Sequence, residues 1–227
     1  MTVHVASAER ADPVDLRYLE CNIRVRGPLF GTVGDNFWGD APGRVVTVSA
    51  DVTLHQYDDD DPDIGSEKVI ARATAYAIDI DSDSDSFDDI IEIFDEMGDE
   101  VFAVAEEALS GRTIFDHLES ISEFGPGWTS QLVIIESVEV DEQYRGQKIG
   151  PRLLTTLTEA VTGPGSQSLI LLRAYPLHAD DLSPLEIRHA RNKISAVYSG
   201  IGYASFRENV YWRHTARIGP EALLNEG

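Results

Sequence analysis

The sequence predicts an α/β (α+β) fold in which helices flank a central mixed, mostly antiparallel sheet. Two alternating stretches early in the chain indicate antiparallel strands, and an apolar run that begins at Leu132 leads into a strand, a loop and a helix. Between them, residues 86–125 carry apolar side chains at helical spacing. This helical block is an extra segment that precedes the central strand.

Composition limits the class of protein. The 227 residues, 42% of them hydrophobic, are enough to bury a core without disulfide or metal staples. The single cysteine, Cys21, cannot form an internal bridge, and the sequence shows neither a signal peptide nor a long apolar span. We therefore expect a cytoplasmic protein.

The charge is strongly acidic, with 40 acidic and 18 basic residues and a formal net charge of −22. Such a surface repels nucleic acid and anionic membranes, because both are bound through clustered lysine and arginine. It favours cationic substrates or basic partners. An acidic surface that is poor in lysine also suits a high-salt cytoplasm, and composition does not decide between the two explanations.

Alternation predicts the first strands. One is expected over 18–26 and another over 46–54, and 69–80 is expected to pair with the second as a hairpin. The acidic run 58–65 would form the hairpin turn. The glycine-rich segment 27–39 is not a phosphate loop, because no helical pattern follows it, and its aromatic residues either line a substrate entrance or plug a core edge.

An acidic run precedes the helical block. Four of its residues copy ligand positions of a calcium-binding loop: Asp81, Asp83, Asp85 and Glu92. The position that needs glycine is Ser86, and Ser86 with Asp89 is typical of a helix N-cap. We therefore interpret the run as a solvated acidic turn and expect no bound metal. Three helices should follow, beginning near Phe87, Val101 and Thr113.

The most informative segment is the loop after the central strand. It contains Arg145, Gly146, Gln147, Lys148, Ile149 and Gly150, and a helical pattern follows it. Backbone N–H groups at a helix N-terminus, together with the positive end of the helix dipole, favour an anion such as a pyrophosphate. Glycine at two of these positions would let phosphate groups approach the chain closely.

This loop resembles the acyl-CoA-binding motif of the GNAT superfamily of N-acyltransferases, Arg/Gln-x-x-Gly-x-Gly/Ala after an apolar-x-Val strand end. Arg145, Gly146 and Gly150 match, and Lys148 stands where the family usually has glycine. Downstream, the segment 192–203 resembles the family signature Asn-x-x-Ala-x-x-Tyr-x-x-x-Gly-Phe/Tyr, and its first residue is Asn192. The resemblance covers roughly 132–206.

The resemblance implies one GNAT-like domain over 1–227. Its parts would be N-terminal strands at 15–80, a helical insertion at 86–125 and an acyl-CoA-binding half at 130–214. In the family, helices usually lie between the first two strands, whereas here they follow the predicted hairpin. Either these helices are an insertion that caps the acceptor side, or the strand numbering is shifted.

The resemblance also implies a ligand and roles for individual residues. Acetyl-CoA or another acyl-CoA would be the co-substrate, with the backbone of Val138 and Val140 pairing with its pantetheine arm. The N–H groups of the 145–150 loop would hold the pyrophosphate, and Asn192 would assist. Tyr198 would be the general acid beside the sulfur, and Glu136, two residues before Val138, is our candidate base.

Both candidate catalytic residues have ordinary structural alternatives. Glu136 is equally interpretable as a solvated or paired strand carboxylate, and Tyr198 as a core aromatic. The remaining pattern predicts a buried strand over 168–175, a helix that starts at Ser183 with an apolar stripe through Ile194, and a strand or hairpin over 203–214.

Two functions of different class follow. The first is an N-acyltransferase that moves an acyl group from acyl-CoA to an amine of a small molecule or basic peptide. The second is a non-catalytic GNAT-like module that binds a basic protein through its acidic surface. Neither involves nucleic acid or membrane, and a homodimer is possible in either case.

Overall fold

The computed structural model describes residues 18–26, 45–57, 65–80, 86–111, 113–121, 129–162, 166–176, 179–207 and 209–215. Several predictions concern other residues, namely the glycine-rich segment 27–39, most of the acidic turn 58–65, the aspartates of 81–85 and both termini. These lie outside the described residues.

Seven strands and five helices make up the described chain. The strands are β1 Leu19–Arg26, β2 Val45–Tyr57, β3 Gly65–Asp79, β4 Gln131–Val140, β5 Ser168–Arg173, β6 Ala204–Ser205 and β7 Val210–His214. The helices are α1 Phe87–Asp95, α2 Asp99–Leu109, α3 Ile114–Ile121, α4 Ile149–Thr162 and α5 Pro184–Gly200.

All seven strands form one sheet in the order β1-β2-β3-β4-β5-β7-β6. Neighbouring strands are antiparallel except β4 and β5, which are parallel. The parallel pair arises because α4 crosses over between the two strands, as a parallel connection requires. The predicted mixed, mostly antiparallel sheet flanked by helices is confirmed.

The two faces of the sheet have separate cores. Helices α1, α2 and α3 cover one face, where Phe94, Ile134 and Trp212 are buried. Helix α4 covers the other face, where Ile135 and Leu157 are buried. We call these the insertion face and the α4 face.

The helical block connects β3 to β4, and these two strands pair with each other. The three helices therefore lie between two strands that are neighbours in the sheet. Helix α1 begins at the predicted cap, since the Ser86 hydroxyl accepts a hydrogen bond from the Asp89 N–H at 3.2 Å and the Asp89 carboxylate completes a capping box.

Strand β1 lies at the sheet edge and is less buried than its alternation suggests. Leu19 and Ile23 are partly buried, whereas Cys21 is exposed and Val25 is 62% exposed. An edge strand contacts a neighbour on one side alone, so alternation by itself does not ensure burial.

Helix α5 has the predicted start and an unexpected environment. Ser183 and Glu186 form the capping box, with Pro184 in the first turn. However, none of the helix residues is buried, and the expected apolar stripe is not part of the core. Ile194 is partly buried, and Val197 is 41% exposed. The apolar side of α5 instead borders an open cleft.

Candidate active site

A β-bulge in the middle of β4 shapes the candidate site. Ile135 is opposite Ala75 of β3, and Ser137 is opposite Thr74, so Glu136 is an extra residue in the ladder. The parallel pairing of β4 with β5 ends at the same place, at Ile135. Beyond the bulge, β4 remains paired with β3 on one edge and is not paired with β5 on the other.

The bulge corrects the predicted orientation of Glu136. The sequence places Glu136 and Val138 on one strand face, because side chains two apart normally share a face. In the structure, Val138 shares the α4 face with Ile135 instead, because the extra residue shifts the alternation. The Glu136 carboxylate hydrogen bonds to Tyr76, which packs on the insertion face.

A cleft of about 1190 Å³ opens where β4 and β5 separate. Its walls come from the second half of β4, the loop after it, the end of β5 and one side of α5. The lining residues are Ile135, Glu136, Ser137, Val138, Glu139, Val140, Glu142, Arg145, Gly146, Arg173, Tyr175, Pro176, Asp181, Leu182, Leu185, Glu186, His189, Ala190, Lys193, Ile194 and Tyr198.

The free edge of β4 presents backbone groups to this cleft. The Asp141 N–H donates to the Ile70 carbonyl of β3 at 2.9 Å. Because successive residues direct their backbone groups to opposite edges, those of Val140 and Val138 are directed away from β3 and toward the cleft. The Val140 carbonyl accepts a hydrogen bond from Arg145 Nε at 3.0 Å, which holds the start of the loop against the strand.

An ion pair also anchors the loop to the sheet. The Lys68 ammonium of β3 lies 2.9 Å from the Asp141 carboxylate and 5.0 Å from the centre of the Tyr144 ring. Hydrogen bonding to Lys68 lowers the pKa of Asp141, and the Gln143 N–H also donates to this carboxylate at 3.3 Å. The chain therefore enters the loop with a defined geometry.

The loop itself contains two left-handed residues. Gly146 has φ +86° and Lys148 has φ +62°. Glycine adopts this conformation readily, but for lysine it costs about 1–2 kcal/mol. Arg145 and Gly146 line the cleft, whereas the exposed Lys148, the partly buried Gln147 and the buried Ile149 lie beside it. The Arg145 N–H donates to the Glu142 carbonyl at 3.2 Å, so this N–H is already used.

Gly150 lets α4 approach β4 closely. A Cβ atom at this position would lie 3.3 Å from Val140 Cγ2 and 3.9 Å from Val138 Cγ1. The glycine therefore contacts the side chains of the two valines, and the helix N-terminus sits against the strand.

Gly150→Ala should destabilise the protein by about 1–3 kcal/mol, because Val140 must move to accept the methyl group. Gly200→Ala is the control, since nothing lies within 4 Å of a Cβ there and helical alanine is favoured by about 0.5–1 kcal/mol. Denaturant unfolding measures both. Equal stability of the two variants would contradict the close approach.

Tyr198 lies on α5 at the floor of the cleft. Its ring contacts Tyr203 and Tyr211, with centroids 6.2 Å and 5.8 Å away. Among the described residues its hydroxyl has no hydrogen-bond partner. Burial raises the pKa of Tyr198 well above its usual value, and the neighbouring Tyr203 raises it further. The phenol therefore keeps its proton at any physiological pH.

The pKa of the Glu136 carboxyl is also raised, and for a carboxyl this moves the pKa toward neutrality. Burial raises its pKa, the hydrogen bond from Tyr76 opposes the shift, and the Glu100 carboxylate raises the pKa further. A carboxylate with a raised pKa is a better proton acceptor than an exposed one.

The cleft brings together most of the residues singled out from the sequence. Glu136, Val138, Val140, Arg145, Gly146 and Tyr198 all line it. Asn192 is exposed and is not among the lining residues.

Several cleft residues were not predicted from the sequence. Tyr76 of β3 hydrogen bonds to Glu136, Glu100 of α2 lies near enough to raise its pKa, and Arg173, Tyr175 and Lys193 line the walls. No motif marks them, because they come from separate elements and meet only in the folded chain.

Neither a metal site nor a membrane span is evident in the part of the chain that the structure describes. No group of three or more histidine, cysteine, aspartate or glutamate side chains there is arranged to hold a metal ion. No helix among those residues is long and apolar enough to cross a bilayer.

Sequence comparison finds no relative, since neither a family model nor a curated protein matches the chain. Solved structures show distant likeness. Arabidopsis thaliana NAA60 in complex with acetyl-CoA is 12% identical, with 87% of this chain and 99% of that chain covered and a TM-score of 0.40. An apo mutant of agmatine N-acetyltransferase is 13% identical, with 74% and 73% covered and a TM-score of 0.39.

A third likeness is to the KacTA–DNA complex, at 9% identity, with 87% and 95% covered and a TM-score of 0.35. The sheet order, the single parallel pair and the cleft between β4 and β5 define a mixed α/β fold with an open cleft at one strand edge.

Proposed function

We propose that this protein is an acyl-CoA-dependent N-acyltransferase that transfers an acyl group directly to a primary amine. The observation that carries the proposal is the cleft at the β4 bulge. It combines a free strand edge, a partly buried carboxylate and a partly buried phenol in one space. Burial raises the pKa of Glu136 toward neutrality, as a general base of this reaction needs, and Tyr198 keeps the proton that a general acid gives to the departing sulfur.

The shape of the cleft suits the elongated arm of an acyl-CoA. The backbone groups of Val138 and the N–H of Val140 are available as a strand edge for the amide groups of a pantetheine chain, whereas the Val140 carbonyl already accepts from Arg145. Leu185, Ala190 and Ile194 of α5 form an apolar wall opposite that edge. These side chains are poorly buried in the free protein, so a ligand arm that covers them gains hydrophobic free energy.

The charges at the loop end of the cleft suit the phosphate groups. Arg145 lines the cleft there, Lys193 and His189 face it from α5, and the loop precedes the N-terminus of α4. In a chain of net charge −22, these basic groups are among the few cleft residues that can pair with phosphate oxygens.

Glu136, Tyr198, water and the two substrates supply every proton and bond that changes in the reaction. Glu136 takes a proton from the ammonium, directly or through water, and the freed amine nitrogen attacks the thioester carbonyl carbon. The tetrahedral centre collapses with cleavage of the C–S bond, and its nitrogen releases a second proton to water as the amide forms. Tyr198 gives its proton to the departing sulfur, and proton exchange with water restores both residues. An amide and free CoA are the products.

The test is a transfer assay with acetyl-CoA and a panel of primary amines. Formation of acetylated amine, identified by mass spectrometry, in step with the release of free CoA thiol supports the proposal. Binding of acetyl-CoA without any amine-dependent thiol release would overturn it and would favour a non-catalytic module.

Lys148 provides a separate prediction about the loop. Lys148→Ala and Lys148→Gly should both weaken CoA binding by about two- to fivefold, because each removes a cation beside the phosphate end. The glycine variant should be at least as stable as the alanine variant, because φ +62° strains alanine. Titration calorimetry and thermal unfolding measure the two effects. Tighter binding by Lys148→Gly than by wild type would show that backbone strain, rather than the charge, limits the site.

A further inference from the structure

The insertion face of the bulge carries a second group of polar side chains that the reaction above does not use. Arg173 is the last residue of β5, and the pairing of Ile135 with Leu172 puts Glu136 and Arg173 at successive register positions on adjacent strands. Both residues directly follow the last paired residues of the two strands, so their side chains start near each other at the point where the strands separate. Both line the cleft.

Helix α2 and strand β3 complete this group. The Glu100 carboxylate in the first turn of α2 lies 3.4 Å from Arg173 Nη1, and it lies near enough to Glu136 to affect its charge. Tyr76 of β3 hydrogen bonds to Glu136. Four elements thus converge on one point, and three of these residues, Tyr76, Glu100 and Arg173, come from outside the strand-loop-helix segment.

The Arg173 side chain is held in place by its neighbours, but not all of its N–H donors have an acceptor in the described part of the chain. Its guanidinium lies over the Tyr175 ring, with Cζ 4.7 Å from the ring centre, and its Nη1 donates to Glu100. Its Nε is buried and has no hydrogen-bond partner among the described residues. A buried donor without an acceptor costs about 1–3 kcal/mol, so an oxygen atom of a ligand would be favoured there.

We propose that Tyr76, Glu100 and Arg173 form, with Glu136, the acceptor pocket, and that its substrate is an α-amino compound, either an amino acid amide or a peptide N-terminus. The two carboxylates bind the ammonium group, and Arg173 donates to the carbonyl oxygen on the neighbouring carbon. The inference rests on the proposed acyl transfer and specifies its acceptor.

The arrangement distinguishes this class from a simple alkylamine. An alkylamine satisfies the carboxylates but leaves the Arg173 donor unpaired, whereas an α-amino amide satisfies both. A hydrogen bond to a charged group contributes about 1.5–3 kcal/mol, which corresponds to about tenfold or more in kcat/KM. The insertion of α1, α2 and α3 before β4 is what brings Glu100 to this face.

The experiment compares glycinamide with propylamine as acceptors, with acetyl-CoA as donor, in wild type, Arg173→Met, Arg173→Lys, Glu100→Gln and Glu106→Gln. The ratio of kcat/KM for the two amines is compared between proteins, so the different basicity of the amines cancels. Arg173→Lys keeps a cation beside Glu100 and removes the Nε donor. Glu106→Gln makes the same change in charge at an exposed position of α2.

We expect wild type to prefer glycinamide and both Arg173 variants to lower that preference about tenfold, with the KM for acetyl-CoA unchanged. Glu100→Gln should raise the KM for both amines, and Glu106→Gln should change neither.

An unchanged ratio in folded Arg173 variants, or an effect on acetyl-CoA instead of the amine, would overturn the inference. Transfer to propylamine with no use of glycinamide would also overturn it while leaving the acyltransferase proposal intact. If neither amine is acetylated although acetyl-CoA binds, the acceptor inference fails. Failure of the whole amine panel, in contrast, is what defeats the proposed function.

Discussion

Glu136→Gln should lower kcat for acyl transfer by about 100-fold or more, because the amine then lacks a proton acceptor. The wild-type rate should rise with pH as the Glu136 carboxyl loses its proton, and this limb should lie above the usual range of a glutamate because burial raises the pKa. The variant should lose that limb. A pH–rate profile of both proteins measures the effect.

The stability of the same variant separates a catalytic role from a structural one. A carboxyl whose pKa is raised in the folded state favours folding below its unfolded pKa, and this contribution is lost as pH rises through the folded value. At neutral pH the charged Glu136 therefore opposes folding, so Glu136→Gln should unfold at no lower temperature than wild type.

Glu139→Gln is the matched control for this prediction. Glu139 also lies on β4 and lines the cleft, and its side chain is exposed. This variant should keep both the rate and the pH profile. An equal loss of rate in the two variants would show that the cleft charge as a whole, rather than Glu136, supports turnover.

Tyr198→Phe should lower kcat by about 100-fold with little change in acyl-CoA affinity, because the departing sulfur loses its proton donor while the ring stays in place. The loss of stability should be small, since the Tyr198 hydroxyl has no partner among the described residues. Steady-state kinetics and titration calorimetry separate the two quantities.

Tyr203→Phe provides the opposite pattern. The Tyr203 hydroxyl is buried and lies 3.1 Å from Thr158 Oγ1, so its removal should cost about 0.5–1.5 kcal/mol of stability and leave turnover near wild type. If Tyr198→Phe keeps the wild-type kcat, Tyr198 is a packing residue and another group protonates the sulfur.

Local patterns predicted the fold well where one element determines its own structure. The Ser86 and Ser183 capping boxes depend on residues three apart, and both helices begin where the sequence indicates. The buried β5 strand follows from a continuous apolar run, since Leu169 and Leu171 face one core and Ile170 faces the other.

The orientation of Glu136 could not be predicted from such local patterns. Alternation assumes a regular ladder, whereas the bulge depends on how β3 and β4 pair across about sixty positions of sequence. The same limit applies to Tyr76, Glu100 and Arg173, because their proximity depends on tertiary structure. Helix α5 is a third case, since its apolar side chains border a cleft and periodicity does not distinguish a cleft from a core.

Titration calorimetry with acetyl-CoA tests most directly whether this cleft binds acyl-CoA. Ala190→Trp would place a bulky ring in the cleft from α5, and Ala196→Trp places the same side chain at an exposed position of that helix outside the lining. We expect micromolar binding by wild type and Ala196→Trp, and its loss in Ala190→Trp. Absence of binding by wild type, or equal binding by all three proteins, would contradict the account.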